Sequence, residues 1–290
     1  MAFFIPMKKI LITGANGQLG QSVLEQSKNH SDIECFFVTR NELDITNAEL
    51  VNTFFKDKSF DFVVNCAAYT AVDKAEDDQE NALLVNAKAT EILAKITNQK
   101  GIPFIHISTD YVFDGTESIP RSENDQTNPI GVYGQTKLDG EILAQNNNPK
   151  TIIIRTAWVY SRFGNNFVKT MLRLFNEKDS ISVVADQIGS PTNAIDLANA
   201  ILDIVSKDDL TYGIFNYSNE GECSWFEFAQ KIKEFSNSTI EINPVPTSAY
   251  PTKAQRPAYS LLYKIKIKET YGVDVPNWED SLKEELKHLV

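Results

Sequence analysis

The sequence predicts an α/β fold, in which a doubly wound, parallel β-sheet is followed by a smaller, partly interleaved C-terminal domain. Three observations support this. Short apolar runs alternate with helical periodicity through the first half of the chain. Some runs are apolar without a break, as in Phe62-Val63-Val64, and a glycine-rich turn joins the first run to the first helix. Strands that alternate with helices form parallel sheets covered on both faces, so their side chains are apolar on both sides.

The predicted elements follow in chain order. Strand-like runs in the first half occupy residues 10–13, 33–39, 62–65, 103–108 and 151–155. Helical patterns lie between them at residues 17–28, 47–58, 79–99 and 132–145. In the second half the pattern predicts helices at residues 166–175, 194–205, 224–235 and 278–289, and short strands at 181–184, 214–217 and 240–243.

The chain shows no low-complexity linker that would separate two independent domains. Prolines concentrate at positions 244, 246, 251 and 257, which predicts an ordered, extended loop that crosses the molecule. We expect residues 1–155 to form the first domain, completed by helices and a strand from about residues 165–218. Residues 156–290 then supply most of a second domain that packs tightly on the first.

The charge balance argues against two classes of partner. The formal net charge is -11, and a strongly acidic surface repels nucleic acid phosphates and anionic lipids. No stretch approaches the ~20 apolar residues of a membrane span. The main basic cluster, Lys264, Lys266 and Lys268, alternates with isoleucines, and we expect it to form a solvated face. Neither nucleic acid nor a membrane is therefore an expected partner.

Cysteine usage and the first residues bear on location. The three cysteines, Cys35, Cys66 and Cys223, have no metal-ligand spacing, and an odd number is no disulfide framework. Cys35 and Cys66 lie in apolar runs and are expected to be buried thiols. Residues 1–6 lack the basic region and cleavage site of a signal peptide, and Met7 is a plausible natural start. We therefore expect a reduced, cytoplasmic location.

A glycine-rich turn follows the first strand, with Gly14, Gly17 and Gly20 spaced as G-x-x-G-x-x-G. Residues without a Cβ let the backbone approach a pyrophosphate closely. The helix that follows offers free N–H groups and the positive end of its dipole. A glycine triplet alone is a weak signal, but this one sits where a Rossmann fingerprint belongs. We therefore predict dinucleotide binding at this turn.

The end of the second strand bears on the choice of cofactor. An acidic residue there would favour NAD by holding the ribose 2′-hydroxyl. This chain carries Arg40 instead, which is positioned to meet a 2′-phosphate. NADPH is therefore the predicted cofactor, and NADH stays open because Arg40 could equally stack on adenine or face solvent. Asp44 and Ile45 follow and could cap the adenine.

Tyr133 and Lys137 form the predicted catalytic pair. They stand four residues apart, so a helix presents both on one face. Hydride transfer to a carbonyl creates an alkoxide that must be protonated. A tyrosine with a reference pKa near ~10 does this poorly until a neighbouring cation stabilises its phenolate. Tyr133 is the only tyrosine with a lysine at this spacing, and it lies between two predicted strands of the sheet.

Two further strands end in residues suited to a ligand. Thr109, with Ser108 second, ends the fourth strand and could hydrogen-bond a substrate carbonyl, although either hydroxyl could serve only the loop backbone. Small residues after the third strand, beginning at Ala67, allow close approach of the cofactor. Asn86, in the following helix, is expected to be structural.

With these residues taken together, the chain resembles the extended short-chain dehydrogenase/reductases and, within them, the dTDP-4-dehydrorhamnose reductase family. The resemblance runs from Met7 to the last helix. The glycine turn and the Tyr133–Lys137 segment are shared with many relatives. More specific motifs stand at residues 67–76 (AAYTAVDKAE), 108–115 (STDYVFDG), 155–160 (RTAWVY), 164–172 (GNNFVKTML), 186–192 (DQIGSPT) and 246–257 (PTSAYPTKAQRP).

The resemblance implies the NAD(P)H-dependent reduction of dTDP-4-dehydro-6-deoxy-L-mannose to dTDP-L-rhamnose, a step in making a sugar for cell-surface polysaccharides. It assigns the cofactor to Gly17, Gln18 and Leu19 at the pyrophosphate, Asp44 and Ile45 at adenosine, Ala68, Tyr69 and Thr70 at the middle, and Tyr133 and Lys137 at nicotinamide. It assigns the sugar nucleotide to Thr109, Asp110, Trp158 and Arg256. A flat indole can bury the C–H surface of a deoxysugar, and a guanidinium can clamp a diphosphate.

One position departs from the family pattern. Some members carry a glutamate just after the Gly-x-Pro-Thr motif that takes part in a Mg²⁺-mediated dimer. This chain has Ile195 at the aligned position. We therefore expect no metal site, and either a monomer or a homodimer.

Two kinds of alternative function stay open. One is a different nucleotide-sugar 4-ketoreductase or an epimerase of the same build. The other is a non-catalytic regulatory subunit on the same fold. The set of Thr109, Tyr133 and Lys137 favours an enzyme over the regulatory subunit.

Overall fold

The structure is a computed structural model, and it describes residues 7–289, so the expectations about residues 1–6 fall outside it. Twelve strands are present in this part of the chain. They are β1 (Lys8–Thr13), β2 (Ile33–Val38), β3 (Phe62–Asn65), β4 (Phe104–Thr109), β5 (Thr151–Thr156), β6 (Val159–Tyr160), β7 (Ser180–Val184), β8 (Ile188–Gly189), β9 (Thr192–Asn193), β10 (Gly213–Asn216), β11 (Cys223–Ser224) and β12 (Glu241–Val245).

The helices alternate with these strands. They are α1 (Gln18–Gln26), α2 (Ala48–Lys56), α3 (Val72–Ala75), α4 (Gln79–Leu83), α5 (Ala89–Gln99), α6 (Val132–Asn147), α7 (Phe167–Glu177), α8 (Ala194–Ser206), α9 (Trp225–Phe235), α10 (Ile265–Tyr271) and α11 (Trp278–Leu286). A π-helical turn, Leu84–Lys88, joins α4 to α5, and short 3₁₀ turns lie at Ser27–Asn29, Asp110–Val112 and Thr247–Ala249.

Six strands form one parallel sheet in the order β10-β5-β4-β3-β1-β2. The predicted α/β, doubly wound class is therefore confirmed. The strand order reverses between β1 and β3, because β2 lies on one side of β1 and the later strands lie on the other. In open sheets of this kind, ligands bind at the carboxyl ends of the strands beside such a reversal.

Both faces of the sheet are covered. On one face, Leu19 and Val23 of α1 and Leu197 and Ile201 of α8 share an apolar core with the strands. On the other face, α2 and α5 contribute residues such as Phe55. A third core lies beyond the sheet, where α7, α9 and α11 meet around buried side chains such as Phe228. Strand β10 thus completes the sheet and helix α8 covers it, although both come from the second half of the chain.

The predicted helix at residues 79–99 is a helix with a local irregularity. Its π turn contains the buried Asn86, and a π turn inside an α-helix often marks a functional site. Asn86 Oδ1 accepts a hydrogen bond from Tyr69 N–H at 2.8 Å, and its Nδ2 donates to Tyr69 O and Thr136 Oγ1, both at 3.1 Å. Asn86 therefore links the loop after β3 to α6, which agrees with the structural role expected for it.

Two expectations about polar surfaces and thiols were wrong. Lys264 does not lie on a solvated face, since only 7% of its surface is exposed and its Nζ donates to Asn219 O at 3.3 Å. The register of the turn before α10 directs this lysine inward, whereas Lys268 stays exposed. Cys35 and Cys66 are half-buried rather than buried, because Cys35 lies on the edge strand β2 and Cys66 lies just beyond β3.

Hydrogen bonds to other parts of the chain hold the proline-rich segment in place. Thr247 N–H donates to the Asp186 carboxylate at 2.8 Å, and Ala254 N–H donates to Asp73 Oδ1 at 3.0 Å. These bonds hold residues 246–257 across the molecule, as predicted. Among residues 7–289, we find no helix with the length and apolar character needed to cross a bilayer.

Candidate active site

A cleft of about 620 Å³ opens at the carboxyl ends of β1 and β3, where the strand order reverses. All but one of the residues predicted to bind the cofactor line it. They are Gly14, Gly17, Gln18, Leu19, Arg40, Asp44, Ile45, Ala67, Ala68, Tyr69, Thr70, Tyr133 and Lys137. The exception, Gly20, lies behind the turn, where a Cβ would come within 2.4 Å of Gly14 O.

The glycine turn is shaped by close backbone contacts. Gly14 has a φ of +70°, and a Cβ on it would lie 2.6 Å from Ala67 N. Gly17 precedes α1 in extended conformation, and no side chain caps the first N–H groups of the helix. These N–H groups lie at the cleft, so the turn presents hydrogen-bond donors and a positive helix end to an anion.

Gly14→Ala and Gly101→Ala form a matched pair that separates crowding from backbone strain. Both glycines have φ near +70°, but a Cβ on Gly101 would meet nothing within 4 Å. We expect Gly101→Ala to lower the free energy of unfolding by about 1–2 kcal/mol from left-handed strain alone. Gly14→Ala should lower it by more and weaken dinucleotide binding, because β1 and the loop after β3 must separate.

Chemical denaturation and a dinucleotide titration of both variants measure these effects. Equal destabilisation with unchanged dinucleotide affinity would contradict the close approach at Gly14.

The rim of the cleft carries the arginine expected to select the cofactor. The Arg40 side chain is 79% exposed, and its Nε lies 4.0 Å from Asp44 Oδ2. Asp44 Oδ1 accepts hydrogen bonds from Thr46 Oγ1 at 2.7 Å and Thr46 N–H at 3.0 Å. The Thr46 side chain is the main cause that lowers the pKa of Asp44, despite the opposing effect of burial. A charged carboxylate and a solvated guanidinium therefore stand side by side at the rim.

The predicted catalytic pair, Tyr133 and Lys137, lies on the first two turns of α6. Burial raises the pKa of Tyr133 to about 12, with the Thr109 side chain acting in the opposite direction. Lys137 is 1% exposed, and burial lowers its pKa to about 8. Its Nζ donates to Ile107 O at 2.5 Å. Within residues 7–289, the lysine makes no hydrogen bond to Tyr133, although both side chains line the same cleft.

The two hydroxyls at the end of β4 differ in their partners. Ser108 lines the cleft, and its Oγ donates to Glu141 Oε1 at 2.5 Å. Thr109 Oγ1 donates to Asp110 Oδ1 at 2.9 Å and accepts from Tyr111 N–H at 3.3 Å. Thr109 thus serves the loop and also lies close to Tyr133.

Asp110 is a buried carboxylate that is only partly satisfied. It is 2% exposed, and its Oδ2 has no hydrogen-bond partner among the described residues. Burial raises its pKa to about 6, and hydrogen bonds from Thr109 and Ser260 oppose this. A buried acceptor without a partner is unfavourable. Neither Asp110 nor Thr109 lines the cleft, so a sugar hydroxyl would reach this oxygen only after the loop that follows β4 shifts.

Trp158 combines a left-handed backbone conformation with a ring stack that the sequence analysis did not predict. Its φ is +49°, and its ring stacks on Trp225 with centroids 3.6 Å apart and planes at 10°. Ser224 and Glu227 form a capping box that starts α9 at Trp225. The Ser-x-x-Glu spacing could have indicated the helix start, but nothing local indicates the stack.

Arg256 lies outside the cleft and is engaged by a carboxylate. Its Nη2 donates to Asp73 Oδ2 at 2.7 Å and its Nη1 to Asp73 Oδ1 at 3.1 Å. The hydrogen bond from Arg256 is the main cause that lowers the pKa of Asp73. The proline-rich segment thus brings the guanidinium onto the residue that begins the Asp73-Lys74-Ala75-Glu76 part of the motif.

Comparisons with known proteins match nearly the whole chain. The family model for the RmlD substrate binding domain matches residues 7–290. A dTDP-4-dehydrorhamnose reductase from Sinorhizobium fredii is 42% identical over 94% of this chain and 95% of its own length. The crystal structure of a dTDP-4-dehydrorhamnose reductase from Clostridium acetobutylicum is 43% identical, covers 97% of this chain and 99% of its own, and superposes with a TM-score of 0.93.

A second solved structure bears on the cofactor. The dTDP-4-dehydrorhamnose reductase from Bacillus anthracis, in complex with NADP, is 38% identical, covers 97% of this chain and 99% of its own, and has a TM-score of 0.93. The matches extend over nearly the whole of both chains, so they concern the sheet and the C-terminal elements alike. The chain therefore belongs to the dTDP-4-dehydrorhamnose reductase family.

Proposed function

We propose that the protein reduces dTDP-4-dehydro-6-deoxy-L-mannose to dTDP-L-rhamnose, with NADPH as the hydride donor to C4. One observation carries the proposal: Tyr133 and Lys137 of α6 line the same cleft as the glycine turn that precedes α1. This arrangement supports a proton donor beside a dinucleotide site, at the point where the strand order of the sheet reverses. Membership of the reductase family supports the choice of sugar.

Each residue of the site has a separate role in the proposed reaction. NADPH, when bound, supplies the hydride. Tyr133 donates its phenolic proton to the sugar oxygen, and Lys137 stabilises the phenolate that remains. Thr109 orients the carbonyl, and the unmatched Asp110 Oδ2 accepts a hydrogen bond from a sugar hydroxyl.

Two residues would hold the rest of the substrate. The Trp158 ring, fixed on Trp225, offers an apolar surface for the deoxysugar. Arg256 would contact the diphosphate with the donors that Asp73 and Ala254 O leave available, because a guanidinium has five N–H groups.

An assay with NADPH, NADH and dTDP-4-dehydrorhamnose tests the proposal. We expect one NADPH to be oxidised per sugar, and NMR of the product should show dTDP-L-rhamnose. The C4 epimer would indicate a different 4-ketoreductase, and turnover without net NADPH oxidation would indicate an epimerase. No oxidation with any dTDP-4-keto sugar would favour the regulatory subunit.

Arg40→Ala should change the preference between the two cofactors. We expect the KM for NADPH to rise by roughly 10- to 100-fold, because one charge-assisted contact to the 2′-phosphate contributes roughly 1.5–3 kcal/mol. The KM for NADH should stay unchanged. Arg173→Ala removes another exposed arginine, far from the cleft on α7, and serves as the control. Equal effects of Arg40→Ala on both cofactors would contradict the assignment.

The domain division, assembly and location stay within the same proposal. We place the cofactor domain at residues 1–155, completed from about 165–218, and the sugar domain mainly at 156–290. The protein would be a monomer or a homodimer without a bridging Mg²⁺, because Ile195 replaces the acidic ligand. A cytoplasmic location fits the free thiols of Cys35, Cys66 and Cys223. Light scattering with and without a chelator tests the assembly.

A further inference from the structure

A buried chain of polar side chains runs beneath the cleft from β1 to α6. Thr13 Oγ1 donates to Asn65 Oδ1 at 2.6 Å, and Asn65 Nδ2 lies 3.2 Å from His106 Nδ1. His106 Nε2 lies 3.3 Å from Lys137 Nζ. Each of these four side chains is at most 1% exposed. The chain of contacts is therefore buried and ends at the predicted catalytic lysine, which lines the floor of the cleft.

The direction of the hydrogen bonds is set by the backbone. Ala67 N–H can only donate, and it donates to Asn65 Oδ1 at 3.2 Å. The Asn65 amide is therefore oriented with its Nδ2 toward His106. An amide NH₂ also can only donate, so His106 Nδ1 must accept. A neutral imidazole that accepts at Nδ1 carries its proton on Nε2.

This tautomer directs an N–H group at the amine of Lys137. A lysine ammonium has three donors and no lone pair, so it would face His106 Nε2–H donor to donor. The neutral amine has a lone pair that accepts this hydrogen bond, while it continues to donate to Ile107 O. The backbone of Ala67 is thus coupled, through Asn65 and His106, to the charge of the lysine.

Other groups act on the same amine and ring. Burial is the main cause that lowers the pKa of Lys137, whereas Glu141 on α6 and Cys66 beyond β3 raise it. Burial, with the nearby Lys137, lowers the pKa of His106 well below its ordinary value, so the ring stays neutral. The Phe104 ring lies beside the His106 ring, with centroids 6.1 Å apart and planes at 22°.

We propose that His106 is a positioning residue: in its neutral Nε2–H form it donates a hydrogen bond to Lys137 Nζ and disfavours the ammonium. The inference rests on the proposed function. Each reduction moves the Tyr133 proton to the sugar oxygen, and the phenolate then takes a proton from the Lys137 ammonium. The amine regains a proton from bulk solvent by way of the cleft, so one solvent proton is consumed per sugar reduced. A lysine that gives up and regains its proton near the working pH serves this exchange.

The tautomer can be measured directly on the intact protein. The sequence has three histidines, so a long-range ¹H–¹⁵N spectrum of histidine-labelled protein shows three rings. His106→Gln removes one ring and assigns it. We expect the His106 ring to show the Nε2–H pattern without titrating. An Nδ1–H pattern, or a titration near the reference pKa of ~6.5, would overturn the proposal.

The effect on Lys137 appears in the pH profile of the reduction. In the wild type, kcat/KM should fall as the pH rises through the lysine pKa of about 8, since reduction needs the proton. A glutamine at position 106 can turn its carbonyl oxygen to the ammonium and favour the charged form. We expect the pH at which kcat/KM falls to be about one unit higher in His106→Gln than in the wild type.

His288→Gln, which replaces an exposed histidine, should leave the pH at which kcat/KM falls unchanged. A fall at the wild-type pH in His106→Gln would count against the proposal. The two proposals fail separately: a wild type that does not oxidise NADPH with the keto sugar refutes the proposed function, while the ring spectrum still decides the tautomer.

Discussion

Tyr133→Phe is expected to lower kcat by roughly 10²–10⁴-fold, which corresponds to about 3–5 kcal/mol of transition-state stabilisation. The variant loses only the phenolic O–H and keeps the ring that packs edge-on to Tyr111, with centroids 5.5 Å apart. The fold and the cleft should therefore persist. NADPH affinity should change little, since the glycine turn and Lys137 stay in place. Steady-state kinetics and a fluorescence titration with NADPH measure the two quantities.

A control separates this effect from a general loss of tyrosine hydroxyls. Tyr263 is 48% exposed and lies outside the cleft, so Tyr263→Phe should keep wild-type kinetics. Turnover of Tyr133→Phe at the wild-type rate would refute the assignment of Tyr133 as proton donor. A parallel loss of NADPH affinity would instead point to a role in binding the cofactor.

Glu141→Gln is expected to cause the largest loss of stability. Glu141 and Arg155 are each 2% exposed, and Arg155 donates to both carboxylate oxygens, at 2.9 and 2.7 Å. Ser108 Oγ also donates to Glu141. Removing one charge of a buried pair leaves the other charge buried without a partner. This lowers the free energy of unfolding by about 3–5 kcal/mol. Arg155 would suffer most, because its Nη1 already has no partner among the described residues.

An exposed ion pair provides the matched comparison. Glu177 pairs with Arg173 at 2.6 Å on the surface of α7, and both side chains are about half exposed. Glu177→Gln should lower the free energy of unfolding by only about 0.2–1 kcal/mol. Denaturant titrations of both variants measure the difference. Equal losses would show that the buried pair contributes no more than a surface pair.

The parts of the site set by neighbouring residues were predictable from the sequence. The turn from β1 into α1 depends on Gly14, Gly17 and Gly20, whose spacing is a local property. The pair of Tyr133 and Lys137 depends only on the pitch of one helix. The alternation of strands and helices likewise predicted the parallel sheet, because covering both faces of a strand needs an apolar run.

The parts set by distant contacts were not predictable in the same way. The stack of Trp158 on Trp225 and the pairing of Arg256 with Asp73 join residues far apart in the chain. Composition cannot indicate which carboxylate a given arginine meets. The burial of Lys264 follows from the register of a turn, and the irregularity at Asn86 follows from contacts with Tyr69 and Thr136.

The late arrival of β10 and α8 has a consequence for synthesis on the ribosome. When the first 156 residues have emerged, β5 is still an open edge strand, because its partner β10 comes later. Leu19 and Val23 of α1 also lack the cover that Leu197 and Ile201 provide. Open edges and uncovered apolar faces favour aggregation. The nascent chain therefore passes through an interval of about sixty residues, at roughly 5–20 residues per second, in which its sheet is unfinished and chaperones have a surface to bind.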